Sequence, residues 1–165
     1  MGLDITAYRK LSPEPSATED NETIVQLSRA LVDWTEKEFP GRTQGVVAGM
    51  YSFAERFGFR AGSYSGYNRW REWLAKVAGL EAPKLIWESE SPSGPFVELI
   101  NFADNEGIIG PLVSAKLAKD FAEHEERIAS LASDEQSFDP YNLEKYRAWR
   151  KAFEMAADGG AVEFH

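Results

Sequence analysis

Between Gly58 and Trp73 the chain reads GFRAGSYSGYNRWREW, with three glycines, three arginines, two tyrosines, two tryptophans and two serines, and no acidic residue before Glu72. The whole chain carries a formal charge of -9, so this stretch is an island of positive charge on an acidic protein. A glycine-rich turn entering a helix presents unpaired backbone N–H groups at the positive end of the helix dipole. Arg60, Arg69 and Arg71 add guanidinium groups suited to bidentate contacts with phosphate or carboxylate. Ser63 and Ser65 add hydroxyl donors, Tyr64 and Tyr67 add rings that can stack on a base, and Trp73 extends the aromatic surface. The chemistry of this set is the holding of an anion or a protein partner. The competing reading is structural: glycines turning a hairpin, aromatics filling core, arginines pairing with carboxylates.

Several sharper motifs are excluded. The stretch lacks the lysine of a phosphate-binding G-x-x-x-x-G-K-[ST] loop, and glycines at 58, 62 and 66 do not fit G-x-G-x-x-G. Asp104 and Glu106, in the run Asp104-Asn105-Glu106-Gly107, are weak candidates for a divalent cation, but the run fails the calcium-loop template and reads first as a solvated turn. Only two histidines are present. His124 lies on the apolar stripe of a predicted helix as a hydrogen-bonded boundary residue, and His165 is expected to be exposed. With no G-x-S-x-G elbow, a Ser-His-Asp hydrolase is disfavoured. No pair among the many carboxylates is singled out for glycoside cleavage. No catalytic set and no cofactor are expected, and the reading leans away from an enzyme.

The elements that must position these residues follow from periodicity. Leu3, Ile5 and Ala7 alternate with Asp4, Thr6 and Tyr8, which predicts a half-buried strand over 3–8. Residues 12–21 read as a polar loop. Ile24, Leu27, Leu31 and Trp34 recur at helical spacing and predict a helix from Glu22 to Glu38 with Asn21 as cap, although TIVQL also suits a strand. Strands are expected over Val46–Phe53 and Arg56–Ala61. A helix then begins near Ser63 or Ser65, carries Tyr67, Trp70, Leu74 and Val77 inward, and stops at Gly79. Leu85–Glu88 and Phe96–Phe102 read as strands, the latter equally as a helical turn, with ADNEGIIG as a loop. Pro111 opens a long helix to about Ala132, and Asp139-Pro140 opens the last one, which ends at Gly159-Gly160. Val162 and Phe164 alternate with Glu163 and His165 in a closing strand, for which the first strand is the expected neighbour. The sum is one α+β domain over 1–165: a small mixed or antiparallel sheet holding both termini, with three to four helices mainly on one face.

Composition narrows the classes of function. The 165 residues are 43% hydrophobic and 13% aromatic, which suits a packed domain. The absence of cysteine excludes disulfides, thiolate metal sites and a cysteine nucleophile, and suits the cytoplasm. No run approaches the roughly 18 apolar residues of a membrane span, and MGLDITAYRKL has no signal-peptide pattern. An excess of 27 acidic over 18 basic residues makes nucleic acid an unfavourable partner.

The blocks MGLDITAYRKL, FPGR, GFRAGSYSGYNRWREWLAKVAG, SGPFVELINFADNEGIIGPLVSAKLAKDF and WRKAFEMAADGGAVEFH resemble a family of small uncharacterised proteins encoded by phages and prophages. The resemblance implies an intracellular role in the host cytoplasm during infection or lysogeny, and it carries over no catalytic residues. The family's acidic loop often reads FSDCEG where this chain has FADNEG, so nucleophilic chemistry at that loop is not expected here. The expected function is a non-catalytic module that binds or inhibits a host factor through the Gly58–Arg71 surface. The alternative is a protein that binds or sequesters a nucleotide or other small anion, or a phosphohydrolase. The sequence leaves the oligomeric state open.

Overall fold

The computed structural model of the chain describes residues 2–18, 20–80, 86, 88–89, 92–102, 106–134 and 140–165. Side chains at 132–134 are outside that description. A four-stranded antiparallel sheet is the centre of the fold, built from β1 (Leu3–Arg9), β5 (Glu55–Gly62), β6 (Gly107–Ile109) and β7 (Ala161–Phe164) in the order β5-β1-β7-β6. The first and last strands are neighbours in one sheet, as expected, and they are its two inner strands. Their ladder continues past β7, because Asp4 N–H donates to the His165 carbonyl at 2.8 Å and His165 N–H to the Asp4 carbonyl at 3.0 Å.

One face of this sheet carries the main core. Leu3, Ile5 and Ala7 of β1 and Val162 and Phe164 of β7 point into it. Above them lie α2 (Tyr64–Val77), the short α3 (Val97–Ile100), α4 (Pro111–Asp134) and α5 (Pro140–Ala156). Each helix presents an apolar stripe at the expected spacing: Tyr67, Trp70 and Leu74 from α2, Leu117, Phe121 and Ile128 from α4, and Tyr146, Trp149 and Phe153 from α5 are all buried. Ser63 caps α2 by accepting the Gly66 N–H at 3.1 Å, so of the two expected starts the first is used. His124 sits where a boundary histidine was expected, donating from Nδ1 to the Asp120 carbonyl at 2.9 Å.

The opposite face is only partly covered. A second antiparallel sheet, β2 (Ser12–Pro13), β4 (Gly49–Ser52) and β3 (Ile24–Leu27) in the order β2-β4-β3, joins α1 (Arg29–Glu38) there. Leu27, Val32 and Tyr51 pack on Ile108 and Ala161, the residues of β6 and β7 that face away from the helices. Thr35 of α1 is fully buried and accepts the Ile108 N–H at 3.1 Å. That bond ties α1 to the edge strand β6.

Four expectations need correction. The predicted helix over 22–38 is a strand followed by a helix. Ile24 and Val25 are β-branched and pair with β4, and Ser28 caps the helix by accepting the Leu31 N–H at 3.2 Å. Strands β4 and β5 are neighbours in sequence but belong to different sheets. For Phe96–Phe102, read equally as strand or helical turn, the helical turn forms: Phe96 takes a left-handed φ of 62° and caps a four-residue helix. The loop expected across ADNEGIIG contains strand β6 over Gly107–Ile109. In the strand expected over Leu85–Glu88, Ile86 and Glu88 are helical, while residues 85 and 87 lie outside the described residues, as do Asp104 and the Asp139 start of the last helix.

Candidate functional site

The structure disperses the positive island. Along β5, side chains alternate between faces, so Phe57, Phe59 and Ala61 point to the helices while Arg60 points to the opposite face. There Arg60 lies 3.7 Å from the Asp4 carboxylate, its partner across the ladder. Ser63 is committed to its capping bond, and its Oγ is also 3.2 Å from that of Ser65. Tyr64, Ser65 and Arg69 are exposed around the start of α2. Trp73 is half-buried, packed on the core with its ring 6.2 Å from that of Trp70.

Tyr67 and Arg71 are not surface residues, which corrects their place in the expected contact set. Four residues apart on α2, they share its inward side. Tyr67 is 2% exposed and donates its hydroxyl to the Phe102 carbonyl at 3.1 Å. Arg71 is 1% exposed, with its guanidinium 5.0 Å over the Tyr67 ring. It donates to the Ile100 carbonyl at the end of α3 and to Asn68 Oδ1 at 2.7 Å. Burial pushes the guanidinium pKa down, yet an arginine stays charged in a protein. Tyr67 and Arg71 therefore fasten α2 to the 100–102 segment.

A different set of polar groups does converge. On the sheet face away from α2, α4 and α5, Thr6 and Tyr8 of β1 stand beside Glu163 of β7 and the following His165. Thr6 Oγ1 lies 2.8 Å from His165 Nε2, and the Tyr8 hydroxyl donates to Glu163 Oε2 at 3.2 Å. Burial raises the Glu163 carboxyl above its ordinary range, against a downward pull from His165 and the Tyr8 hydroxyl. Burial and the neighbouring Glu163 charge likewise push Tyr8 well above its usual value.

The sign of the Glu163 effect is fixed by linkage. A carboxyl raised in the folded state holds a proton there that the unfolded chain has already released, so stability falls as pH rises through the interval between the two values. Glu163→Gln is therefore expected to raise the melting temperature near neutral pH and to lose that advantage below pH ~4. An equal gain at both pH values would overturn the assignment.

Beside this row lies a cavity of about 620 Å³, lined by Ser28, Ala30, Leu31 and Trp34 of the α1 region and by Glu106, Phe164 and His165. Its size is that of small-molecule sites, and its walls combine an apolar surface with a few polar groups, as such sites do. Other hollows suit a ligand less well. One of about 280 Å³ is lined by Arg42 together with Glu38 and Glu98, whose charges oppose an anion. One of about 380 Å³ along β4 is walled by Pro13, Val47, Met50 and Tyr51 and offers no charged side chain. Among the described residues, no three histidine, aspartate or glutamate side chains gather closely enough to hold a metal ion.

Sequence reasoning missed Thr6, Tyr8, Glu163 and Trp34 as site residues. A signal was present in the alternation of both terminal strands, whose polar positions face one way. What was missing was the register that pairs Thr6 with Glu163. No helix among the described residues is long and apolar enough to cross a membrane. Compared with protein-family models, curated proteins and solved structures, the chain matches none of them.

Proposed function

We propose that this chain is a small-molecule-binding protein of the cytoplasm, with the cavity between α1 and the end of β7 as its site. The observation that carries the reading is His165. Its backbone is held by two hydrogen bonds to Asp4 and its ring by Thr6 at 2.8 Å, so the side chain enters the cavity wall in a fixed position. Polar groups fixed in this way in an apolar cavity lower the entropic cost of binding and set ligand orientation. The role is binding or sequestration. An accessory task in phage infection, with a host metabolite as the bound species, belongs to the same proposal.

A second reading keeps a protein partner, at the start of α2. Tyr64 and Tyr141 are 38% and 48% exposed, and the ammonium of Lys145 lies 4.8 Å over the Tyr141 ring. Exposed tyrosines beside cations are frequent at binding hot spots.

Ligand-fragment screening by amide and indole NMR separates the two. The cavity reading expects shifts clustered on Trp34, Ser28 and His165, abolished by Ala30→Trp, which fills the cavity from an exposed helix position. Shifts clustered on Tyr64 and Tyr141, or survival of the cavity shifts in the Ala30→Trp protein, would overturn it.

A further inference from the structure

The geometry points to the outer edge of β5 as a docking edge that takes an extended acidic segment of a partner protein as a fifth strand. This does not rest on the cavity reading. Of the edge strands of the two sheets, β5 is the longest, with eight residues against four in β3, three in β6 and two in β2. The edge at β6 is tied to α1 by the bond from Ile108 to Thr35. The direction of the free backbone groups of β5 follows from the ladder. Asp4 exchanges both backbone hydrogen bonds with His165, so its N–H and C=O point to β7, as do those of Thr6 and Tyr8 two and four residues on. Those of Ile5 and Ala7 point the other way, and their partners Phe59 and Phe57 spend their own on β1. The backbone groups of Arg56, Gly58 and Arg60 are left on the open edge. Among the described residues one group reaches them, the Lys145 ammonium, which donates to the Arg60 carbonyl.

Gly58 is a second observation. A Cβ built there meets nothing nearer than the Ile5 carbonyl at 3.6 Å, an ordinary contact, so the fold itself does not require glycine at this position. A glycine inside a strand weakens it, and it suits a place where another backbone approaches closely. Charge then selects the occupant. Arg56 and Arg60, both exposed, flank Gly58 on the face away from the helices. On the other face the Lys151 ammonium lies 4.2 Å over the Phe57 ring and that of Lys145 5.9 Å over Phe59. The nearest acids in sequence and register are engaged, Glu55 with Arg9 at 3.0 Å and Asp4 with Arg60 at 3.7 Å. Four cations thus rim one open edge of a chain at -9. Carboxylates at alternate positions of an added strand share one face, where they meet Arg56 and Arg60. A second copy of this chain fits less well. Two β5 strands related by a two-fold axis pair residues of equal parity, so a dyad at Phe57, Gly58 or Phe59 sets Arg56 or Arg60 directly or diagonally opposite an arginine of the other copy.

The test is titration of the full chain, followed by amide NMR, with an acetylated and amidated eight-residue peptide alternating glutamate and threonine. Saturable shifts are expected on the amides of Arg56, Gly58 and Arg60, with none from the peptide carrying lysine in place of glutamate. Arg56→Glu together with Arg60→Glu is expected to weaken binding at least about ten-fold at a melting temperature near that of the parent, because both side chains are exposed. Gly58→Pro is expected to weaken it about ten-fold as well, since proline removes an outward N–H and leaves the ladder to β1 in place. Should that variant not fold, the same peptide with every amide N-methylated carries this arm and is expected not to bind. No binding of the acidic peptide at millimolar concentration, equal binding of the lysine peptide, or full affinity in the double arginine variant would each overturn the proposal. Full affinity in a folded Gly58→Pro protein or of the N-methylated peptide would overturn strand addition, and a dimer of this chain paired through β5 would replace the acidic partner.

Discussion

Replacing Trp149 by alanine is expected to remove about 4 kcal/mol of stability, the upper part of the range for deleting a buried tryptophan. The indole is 1% exposed and lies where every layer of the main core meets. Its ring centroid is 5.1 Å from Phe59 of β5, 5.8 Å from both Tyr67 and Trp70 of α2, 5.6 Å from Phe153 and 5.5 Å from Phe164 of β7. Alanine would leave a void bordered by five aromatic rings, each held by its own backbone, and such a site collapses poorly. For a chain of this length the midpoint of thermal unfolding should drop by on the order of 10 °C. Circular dichroism against temperature and urea provides the measurement, and Trp149→Phe, which keeps a ring there, should lose clearly less. A loss below about 1 kcal/mol for Trp149→Ala would mean that this ring is not the hub of the core.

The second large effect is expected from one added methyl group. A Cβ built at Gly160 would stand 1.8 Å from the Tyr8 carbonyl oxygen and 2.8 Å from its carbon, both backbone atoms of the inner strand β1. The turn leading into β7 is bonded to the same stretch, through Lys10 N–H to the Asp158 carbonyl at 2.9 Å and Leu11 N–H to the Gly159 carbonyl at 2.8 Å. Gly160→Ala must push β1 and the turn apart and disturb the Tyr8–Ala161 pairing, at a cost of about 3 kcal/mol or more. Gly159→Ala makes the control. Gly159 has a φ of 63° but open space, its nearest atom being Lys10 Cα at 4.0 Å, so it should lose only about 1 kcal/mol through backbone conformation. Equal losses in unfolding titrations of the two variants would discard close approach as the cause.

Much of this architecture could be read from local chemistry. Ser63, Pro111 and Pro140 mark helix starts through requirements of their own backbone neighbourhood, and the stripes of α2, α4 and α5 repeat often enough to fix their inward faces. Where local signals were short, tertiary pairing decided. Ile24 to Leu27 has a pattern compatible with both periods, and β4 settles it as a strand. Gly107 to Ile109 is three residues long and buried on all sides, too short to show any period, so only its pairing with β7 reveals it.

The candidate site was less legible than the fold, for a geometric reason. The run from Arg60 to Trp73 crosses a strand end and a helix, so neighbours in sequence leave the backbone in different directions. Arg60 goes to the sheet, Arg69 to solvent and Arg71 to the core. Thr6 and His165, 159 positions apart, come within 2.8 Å because their strands are adjacent.

The placement of β1 and β7 at the centre of one sheet also has a consequence for how the chain acquires its structure. Residues 3–9 are synthesised long before residues 161–164, so their ladder to that strand has no partner until those residues are made. Until then β1 has only β5 beside it, and Ile5, Ala7 and the stripes of α2 and α4 lack the face completed by Val162 and Phe164. Closing the sheet is thus a long-range, entropically slow event, late on the folding path. The nascent protein carries an open inner strand edge until 161–164 are made, and such an edge is a template for pairing with other chains.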